Sequence, residues 1–212
     1  NQFTNATAGG GTVTYDANSS TLALQISTAS GAYVYRETIN CFPYQPGKSL
    51  LAMVTFCMAT AKTNLRQRAG YFTTNNGIYF QVNNNTKSFV IRSYSSGSVV
   101  EDSVDQTNWN GDKLDGTGPS GITLNTALDQ IFSTDIEWLG VGAVRCGFVI
   151  DGQFILCHTF NHANVLNSAY MTTASLPVRY EISSTGPIGT LKRICTSVVS
   201  EGGYEQRTRQ WS

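Results

Sequence analysis

The densest hydrophobic patterning lies between Phe132 and Asn164, FSTDIEWLGVGAVRCGFVIDGQFILCHTFNHAN, and predicts three consecutive antiparallel strands. Phe132, Thr134, Ile136 and Trp138 alternate with Ser133, Asp135 and Glu137, the period of two expected of a strand that buries one face. After a glycine-spaced connection at 139–142, the runs 143–150 and 153–160 flank Asp151-Gly152, a pair suited to the left-handed conformations of a tight hairpin turn. A two-residue turn there sets Ile150 opposite Gln153, Phe148 opposite Ile155, Cys146 opposite Cys157 and Val144 opposite Thr159. The other face then pairs Val149 with Phe154, Gly147 with Leu156, Arg145 with His158 and Ala143 with Phe160. Both faces are mostly apolar, so the hairpin is expected at the centre of a sheet, covered on each side. The Phe154, Leu156 and Phe160 face is expected beneath a loop or against another subunit.

Shorter period-two runs predict further strands at 11–15, 21–28, 32–39, 50–60, 87–93, 99–104, 176–182 and 194–199. A second hairpin is expected over 68–82, with Asn76-Gly77 in its turn. Short strands at this spacing, joined by Gly and Asn turns, indicate an all-β antiparallel sandwich. Residues 1–20, rich in Gly, Asn, Thr and Ser, read as an arm or linker, 21–200 as the sandwich domain and 201–212 as a polar tail. No long helical pattern occurs; 162–169 offers one short turn at most.

Composition narrows the function classes. Only 13% of the 212 residues are charged and the formal net charge is zero, which leaves no electrostatic footprint for nucleic acid or an anionic membrane. No run is long and apolar enough to span a bilayer. The chain begins with Asn1 rather than Met, as a piece of a longer product would. Five cysteines without a CxxC pair (Cys41, Cys57, Cys146, Cys157, Cys195) suit neither a disulfide framework nor a zinc knuckle. Cys146 and Cys157 could face each other at about 5.5 Å between Cα atoms; buried free thiols are the expectation.

No catalytic, cofactor-binding or metal-binding set emerges. Pro46-Gly-Lys-Ser49 lacks the upstream glycine of a phosphate loop, since position 42 is Phe, and it leads into a strand rather than a helix. The 108–124 segment has Asp112 and Asp115 but not the ligand spacing of a calcium loop; those carboxylates are expected to hold backbone amides, with Trp109 anchoring the loop. His158 and His162 lack a third ligand, and His158 is expected to face Arg145. Asp135 and Glu137 share a strand face about 7 Å apart, a spacing that fits either glycosidase geometry and so decides nothing. Arg179 and Glu181 share a face of the strand at 176–182; they read as a surface ion pair or as charges that register a neighbouring subunit.

Several segments carry a resemblance: YQPGKS at 44–49, GYFTTNNGIYFQ at 70–81, NWNGDKLDGTGPSG at 108–121, DIEWLGVGAVRCGFVIDG at 135–152, HTFNHAN at 158–164, LPVRYEI at 176–182 and LKRICTSVVSEGGYE at 191–205. Together they resemble a family of virion structural proteins of tailed bacteriophages, known mainly from marine and environmental phages. The sequence departs from that pattern at Thr159, where an acidic residue is expected, and at Cys146, where an aromatic is expected. The resemblance implies localisation in the virion, within a head appendage, tail, fibre or baseplate, and assembly with other virion proteins as a homo-oligomer, a trimer by analogy with threefold appendages. It implies neither an enzyme nor a cofactor.

The hairpin order also resembles a jelly roll of the concanavalin or laminin-G-like type, a fold shared by carbohydrate-binding modules and phage adhesins. The alternative function is therefore a glycan- or receptor-binding module facing the host surface, with Tyr33, Tyr35, Tyr71 or Tyr79 as stacking platforms. Candidate interface residues are Phe154, Leu156, Phe160, Arg179, Glu181 and Trp211.

Overall fold

The computed structural model describes residues 2–201. In chain order the strands are β1 (Phe3–Ala8), β2 (Thr12–Asp16), β3 (Thr21–Ile26), β4 (Ala32–Thr38), β5 (Phe42–Pro43), β6 (Leu50–Cys57), β7 (Leu65–Phe72) and β8 (Gly77–Asn83). They continue as β9 (Thr86–Ser93), β10 (Val100–Asp105), β11 (Gln130–Ile136), β12 (Val144–Ile150), β13 (Gln153–Phe160), β14 (Ser175–Leu176), β15 (Val178–Ser184) and β16 (Gly189–Ser200).

Two seven-stranded antiparallel sheets result. The first runs β1-β4-β15-β7-β8-β9-β10 and the second β13-β12-β11-β6-β16-β3-β2, with β5 and β14 forming a small ribbon. The chain crosses repeatedly between sheets, from β3 to β4, β6 to β7, β10 to β11 and β15 to β16, which makes the sandwich a jelly roll. Alternation places one face of each strand inward. On β6, Leu50, Ala52, Val54 and Phe56 are buried while the residues between them are half-buried. Phe80 on β8 stacks on Phe56 at 5.8 Å and meets Phe148 edge-on at 5.2 Å, joining the two sheets. Phe89 stacks on Phe132 at 5.6 Å.

Residues 3–8, expected in an arm, form an edge strand paired with β4. Pro177 divides the strand expected at 176–182 into β14 and β15, because proline cannot donate to a ladder. The Asp151-Gly152 turn is left-handed at both residues, with φ of 52° and 76°. In the second hairpin the turn is longer than expected. Thr73 N–H donates to Asn76 O at 2.7 Å, and of the Asn76-Gly77 pair only Gly77 is left-handed, with φ of 144°.

The β12–β13 hairpin departs from expectation in two ways. It lies at the edge of its sheet, not the centre. Its register holds from Ile150–Gln153 to Gly147–Leu156 and then shifts, so that Cys146 faces His158, Arg145 faces Thr159 and Val144 faces Phe160. A bulge adds one residue on β13 and turns those after it over. Cys157, His158 and Phe160 consequently all point inward and are buried, while Phe154 and Leu156 are 46% and 39% exposed. All five thiols are free.

The 108–124 segment takes up the unpaired edge of β13. Gly111 and Asp112 donate their N–H groups to Cys157 O and Leu156 O at 2.8 and 2.9 Å, and the Asn110 side chain bonds Thr159 N–H and C=O. The loop covers the strand's edge rather than its outer face, which blunts a ladder otherwise open to another chain. Trp109 stacks on Phe89 at 4.3 Å and its indole N–H donates to Val104 O at 3.0 Å.

Candidate functional site: the outer face of the first sheet

The strands covered on both sides are β7, β8, β9 and β15, buried along nearly their whole length. One side is the sandwich core. On the other, register stacks side chains into rows: Tyr33, Ser183, Arg66 and Asn83, then Tyr35, Glu181, Arg68 and Gln81, then Glu37, Arg179, Gly70 and Tyr79.

The floor of this outer face is the buried cluster of Phe72, Tyr79 and Val90, with Phe72 and Tyr79 ring centroids 4.6 Å apart. The Arg68 guanidinium lies 5.7 Å from the Phe72 centroid and 5.6 Å from that of Tyr79, and Arg92 lies 5.4 Å from Tyr79. Those distances allow cation–π attraction. Gly70 stands between Arg179 and Tyr79; a Cβ there would lie 2.5 Å from Ile78 O and 2.6 Å from Tyr79 Cα, so β8 closes over this position and only glycine fits it.

Over the floor run the ion pairs. Arg179 donates to Glu181 at 2.9 Å, Glu37 at 2.8 Å and the Tyr33 hydroxyl at 3.1 Å. Arg68 donates to Glu181 and Arg92 to Glu101. Arg66 donates to Glu101 at 2.8 Å and to Gln81 at 2.9 Å, and the Tyr79 hydroxyl to Glu101 at 2.8 Å. Four arginines and three glutamates thus occupy one face of a chain with 14 basic and 14 acidic residues. Burial holds the Arg68 pKa down to about 10, and neighbouring Arg66 adds to the effect. Burial pushes the Glu101 carboxyl up, but hydrogen bonds from Arg92 and Tyr79 and the charge of Arg66 outweigh it and hold the group at about 2.

At the end of this face, where β4, β7, β8 and β15 meet their loops, lies a cleft of about 330 Å³. Tyr33, Asn64, Arg66, Asn83, Asn84 and Ser183 line it. Its rim is a set of tied turns: Asn64 N–H donates to Asn84 Oδ1 at 2.7 Å, Asn84 N–H to Leu65 O at 2.9 Å and Gly31 N–H to Ser184 O at 3.0 Å. Asn64 and Asn84 hold left-handed φ of 66° and 55°, a conformation asparagine tolerates. The Tyr33 ring is half-buried and tethered through its hydroxyl to Arg179. The arrangement offers a fixed aromatic surface, amide donors and acceptors, and one guanidinium.

Other predicted residues fall elsewhere. Tyr71 is a core residue whose hydroxyl donates to Ala174 O at 2.7 Å and accepts from Leu176 N–H, and Tyr79 lies beneath arginines, so neither is a stacking platform. Arg179 and Glu181 are not a surface pair: they are 3% and 4% exposed. Phe160 is buried in the core, which removes it from any apolar interface; Phe154 and Leu156 remain exposed beside Val149 and Ile131. Trp211 lies outside the described residues.

His158 faces Cys146 rather than Arg145 and accepts the Asn110 N–H at 3.2 Å, and burial lowers its pKa. His162 stacks on Tyr170 at 4.0 Å. Arg145 bonds Asp135 and lies 3.8 Å from Glu137, tying that carboxylate pair to one cation. Asp112 accepts Leu114 N–H and Ser120 N–H at 2.9 and 2.7 Å, and Asp115 accepts Thr117 N–H at 2.9 Å. Among the described residues no three His, Cys, Asp or Glu side chains converge as a metal site. The sequence reading missed Arg66, Arg68, Arg92, Glu37 and Glu101. Its one available signal was charge at period two inside apolar strands, as in Leu65-Arg-Gln-Arg-Ala69.

No protein-family model matches the chain, and no curated protein sequence matches it. Solved structures do. The carbohydrate recognition domain of Emp47p superposes with a TM-score of 0.56 at 9% identity, over 94% of this chain and 89% of that one. The receptor binding domain of botulinum neurotoxin D gives 0.51 at 10% identity, over 93% and 44%. The binding domain of botulinum neurotoxin serotype C1 gives 0.50 at 10%, over 92% and 43%. The chain spans less than half the length of those neurotoxin domains. At these identities the likeness is one of fold: the molecule is an all-β antiparallel sandwich, a jelly roll of the concanavalin or laminin-G-like type.

Proposed function

We propose that this chain is a binding module that recognises a glycan in the cleft at the end of the first sheet. The observation that carries the reading is the pairing of Tyr33 with the amides of Asn64, Asn83 and Asn84 in a cleft of about 330 Å³. A sugar ring presents an apolar C–H face and a rim of hydroxyls, so it needs an aromatic platform beside groups that both donate and accept hydrogen bonds. Among the described residues the side chains of Asn64 and Asn83 make no hydrogen bond within the chain. The volume falls within the range of small-ligand sites, about 300–1,000 Å³. The Arg–Glu network behind the cleft fixes Tyr33 in place and limits the ordering cost of binding.

Fold analogy supports the same reading, since one similar structure is a carbohydrate recognition domain. The segments that resemble those of phage virion proteins support placing the module on a particle, where it would assemble with other virion proteins and face a host-surface glycan. That part rests on the sequence segments alone.

The test is an oligosaccharide array probed with the chain, its Tyr33→Ala variant and a Tyr15→Ala control. Tyr15 is 68% exposed on β2 of the other sheet. Binding that Tyr33→Ala removes and Tyr15→Ala leaves intact is the expected result. Binding indifferent to Tyr33, or none across the array, contradicts the reading.

A further inference from the structure

We infer that the cleft selects an acidic glycan, one whose sugar carries a carboxylate or a sulfate ester. The inference rests on the glycan-binding reading above and adds the ligand's charge. Arg66 is the one charged side chain among the cleft's lining residues. Its Nε and Nη2 are taken by Gln81 and Glu101, and among the described residues its Nη1 has no partner. Its counter-ion is shared: the Glu101 carboxylate bonds Arg66 and Arg92 and lies 3.9 Å from Arg68. Glu181 is likewise divided between Arg68 and Arg179.

Four guanidinium groups therefore face three carboxylates. The fourth acid on this face, Asp105, stands opposite Ser88 on the edge strand β10, with β9 between it and the Asn83 side of the cleft. Of these guanidinium groups Arg66 is the one that lines the cleft, and its side chain is 26% exposed against 9% for Arg68 and Arg92. A guanidinium with one nitrogen free can donate a charge-assisted hydrogen bond to an oxygen of a carboxylate or sulfate, and no carboxylate lines the cleft to repel that oxygen.

The test is calorimetric titration of three matched probes: a neutral galactan oligomer, its sulfated form, and an oligogalacturonate. The expected result is tighter binding of one or both acidic probes, weakening as salt rises. Arg66→Gln lowers affinity for the acidic probe about tenfold more than for the neutral one, the size of one lost charge-assisted hydrogen bond. Glu101→Gln, which removes the shared counter-ion, raises acidic-probe affinity, and this second variant carries the test if Arg66→Gln folds poorly. The carboxylate and sulfate arms separate the two sources of the anion. Binding of the neutral probe as tightly as the acidic ones, unmoved by Glu101→Gln, overturns the charge inference and leaves the glycan reading standing. No binding of any probe, here and across a broad array, overturns both.

Discussion

The Arg179 guanidinium carbon lies 3.7 Å from the centroid of the Tyr35 ring. The same guanidinium bonds Glu37, Glu181 and the Tyr33 hydroxyl, so one side chain ties β4 to β15 and holds both half-buried tyrosines. Arg179→Ala is expected to cost about 3–5 kcal/mol, because it leaves Glu181 buried with Arg68 alone of its two cations. Arg179→Met keeps the bulk over Tyr35 but takes the same partner from the acid. The triple change Arg68→Met, Arg179→Met and Glu181→Leu, which removes the acid with both of its cations, is expected to recover much of the loss, since well-packed apolar replacements of buried ion pairs are often near neutral. Urea unfolding of the four proteins checks this. A triple variant no more stable than Arg179→Ala contradicts it.

The Glu101 carboxyl gives the fold an acid sensitivity whose sign can be worked out. Its folded pKa of about 2 lies below its ordinary 4.5. Its stabilisation is therefore fully present above about pH 4.5 and lost as pH falls toward 2. The melting-temperature gap between the wild type and Glu101→Gln is expected to be constant above that window and to narrow within it. A gap that widens on acidification contradicts the ion-pair account. His158 acts in the same direction at higher pH: burial lowers its pKa, so protonation below the ordinary 6.5 opposes folding.

Trp109 makes a separate claim about the loop at 108–124. Removing its ring takes away the stack on Phe89 and the bond to Val104. Trp109→Ala is expected to destabilise by about 3–5 kcal/mol, as for other buried aromatics. It should also speed hydrogen exchange at Gly111 and Asp112, whose amides bond the edge of β13. Protection unchanged at those two amides contradicts the edge-capping role.

Thiol chemistry reports which way β12 and β13 face. Cys41 and Cys195 are exposed, whereas Cys146 and Cys157 are fully buried, and burial pushes the Cys146 thiol up to about 12 and raises Cys157 as well. A thiol reagent at pH 8 is expected to label Cys41 and Cys195 rapidly and Cys57 slowly. Cys146 and Cys157 should react only on unfolding. Rapid labelling of Cys157 would mean it points outward on β13.

The legible features were those set by local chemistry. Asp151-Gly152 announced its left-handed turn, and Val178, Tyr180 and Ile182 alternate with Arg179 and Glu181 as the sequence implies. The bulge was not legible. Nothing in Gln153–Phe160 marks an extra residue, and the partners that accommodate it, Asn110 and Gly111, lie more than forty positions upstream. Nor could apolar runs on both hairpin faces reveal that one of them stays open to solvent. The site was half legible: Tyr33 and Tyr35 were picked out, but the other two candidate tyrosines, Tyr71 and Tyr79, proved buried. Arg66, Arg92 and Glu101 come from three strands: register sets Arg92 opposite Glu101, and the Arg66 side chain reaches the same carboxylate from another row.

The measurement that bears most directly on the central claim is chemical-shift mapping on isotope-labelled protein, titrated with an oligosaccharide found by array. Shifts are expected to cluster at Tyr33, Asn64, Asn83 and Ser183, with Arg66 included for an acidic sugar. Shifts centred instead on the exposed Phe154 and Leu156 face, or on the crevice lined by Phe160, Val165, Leu166 and Tyr170, would contradict it.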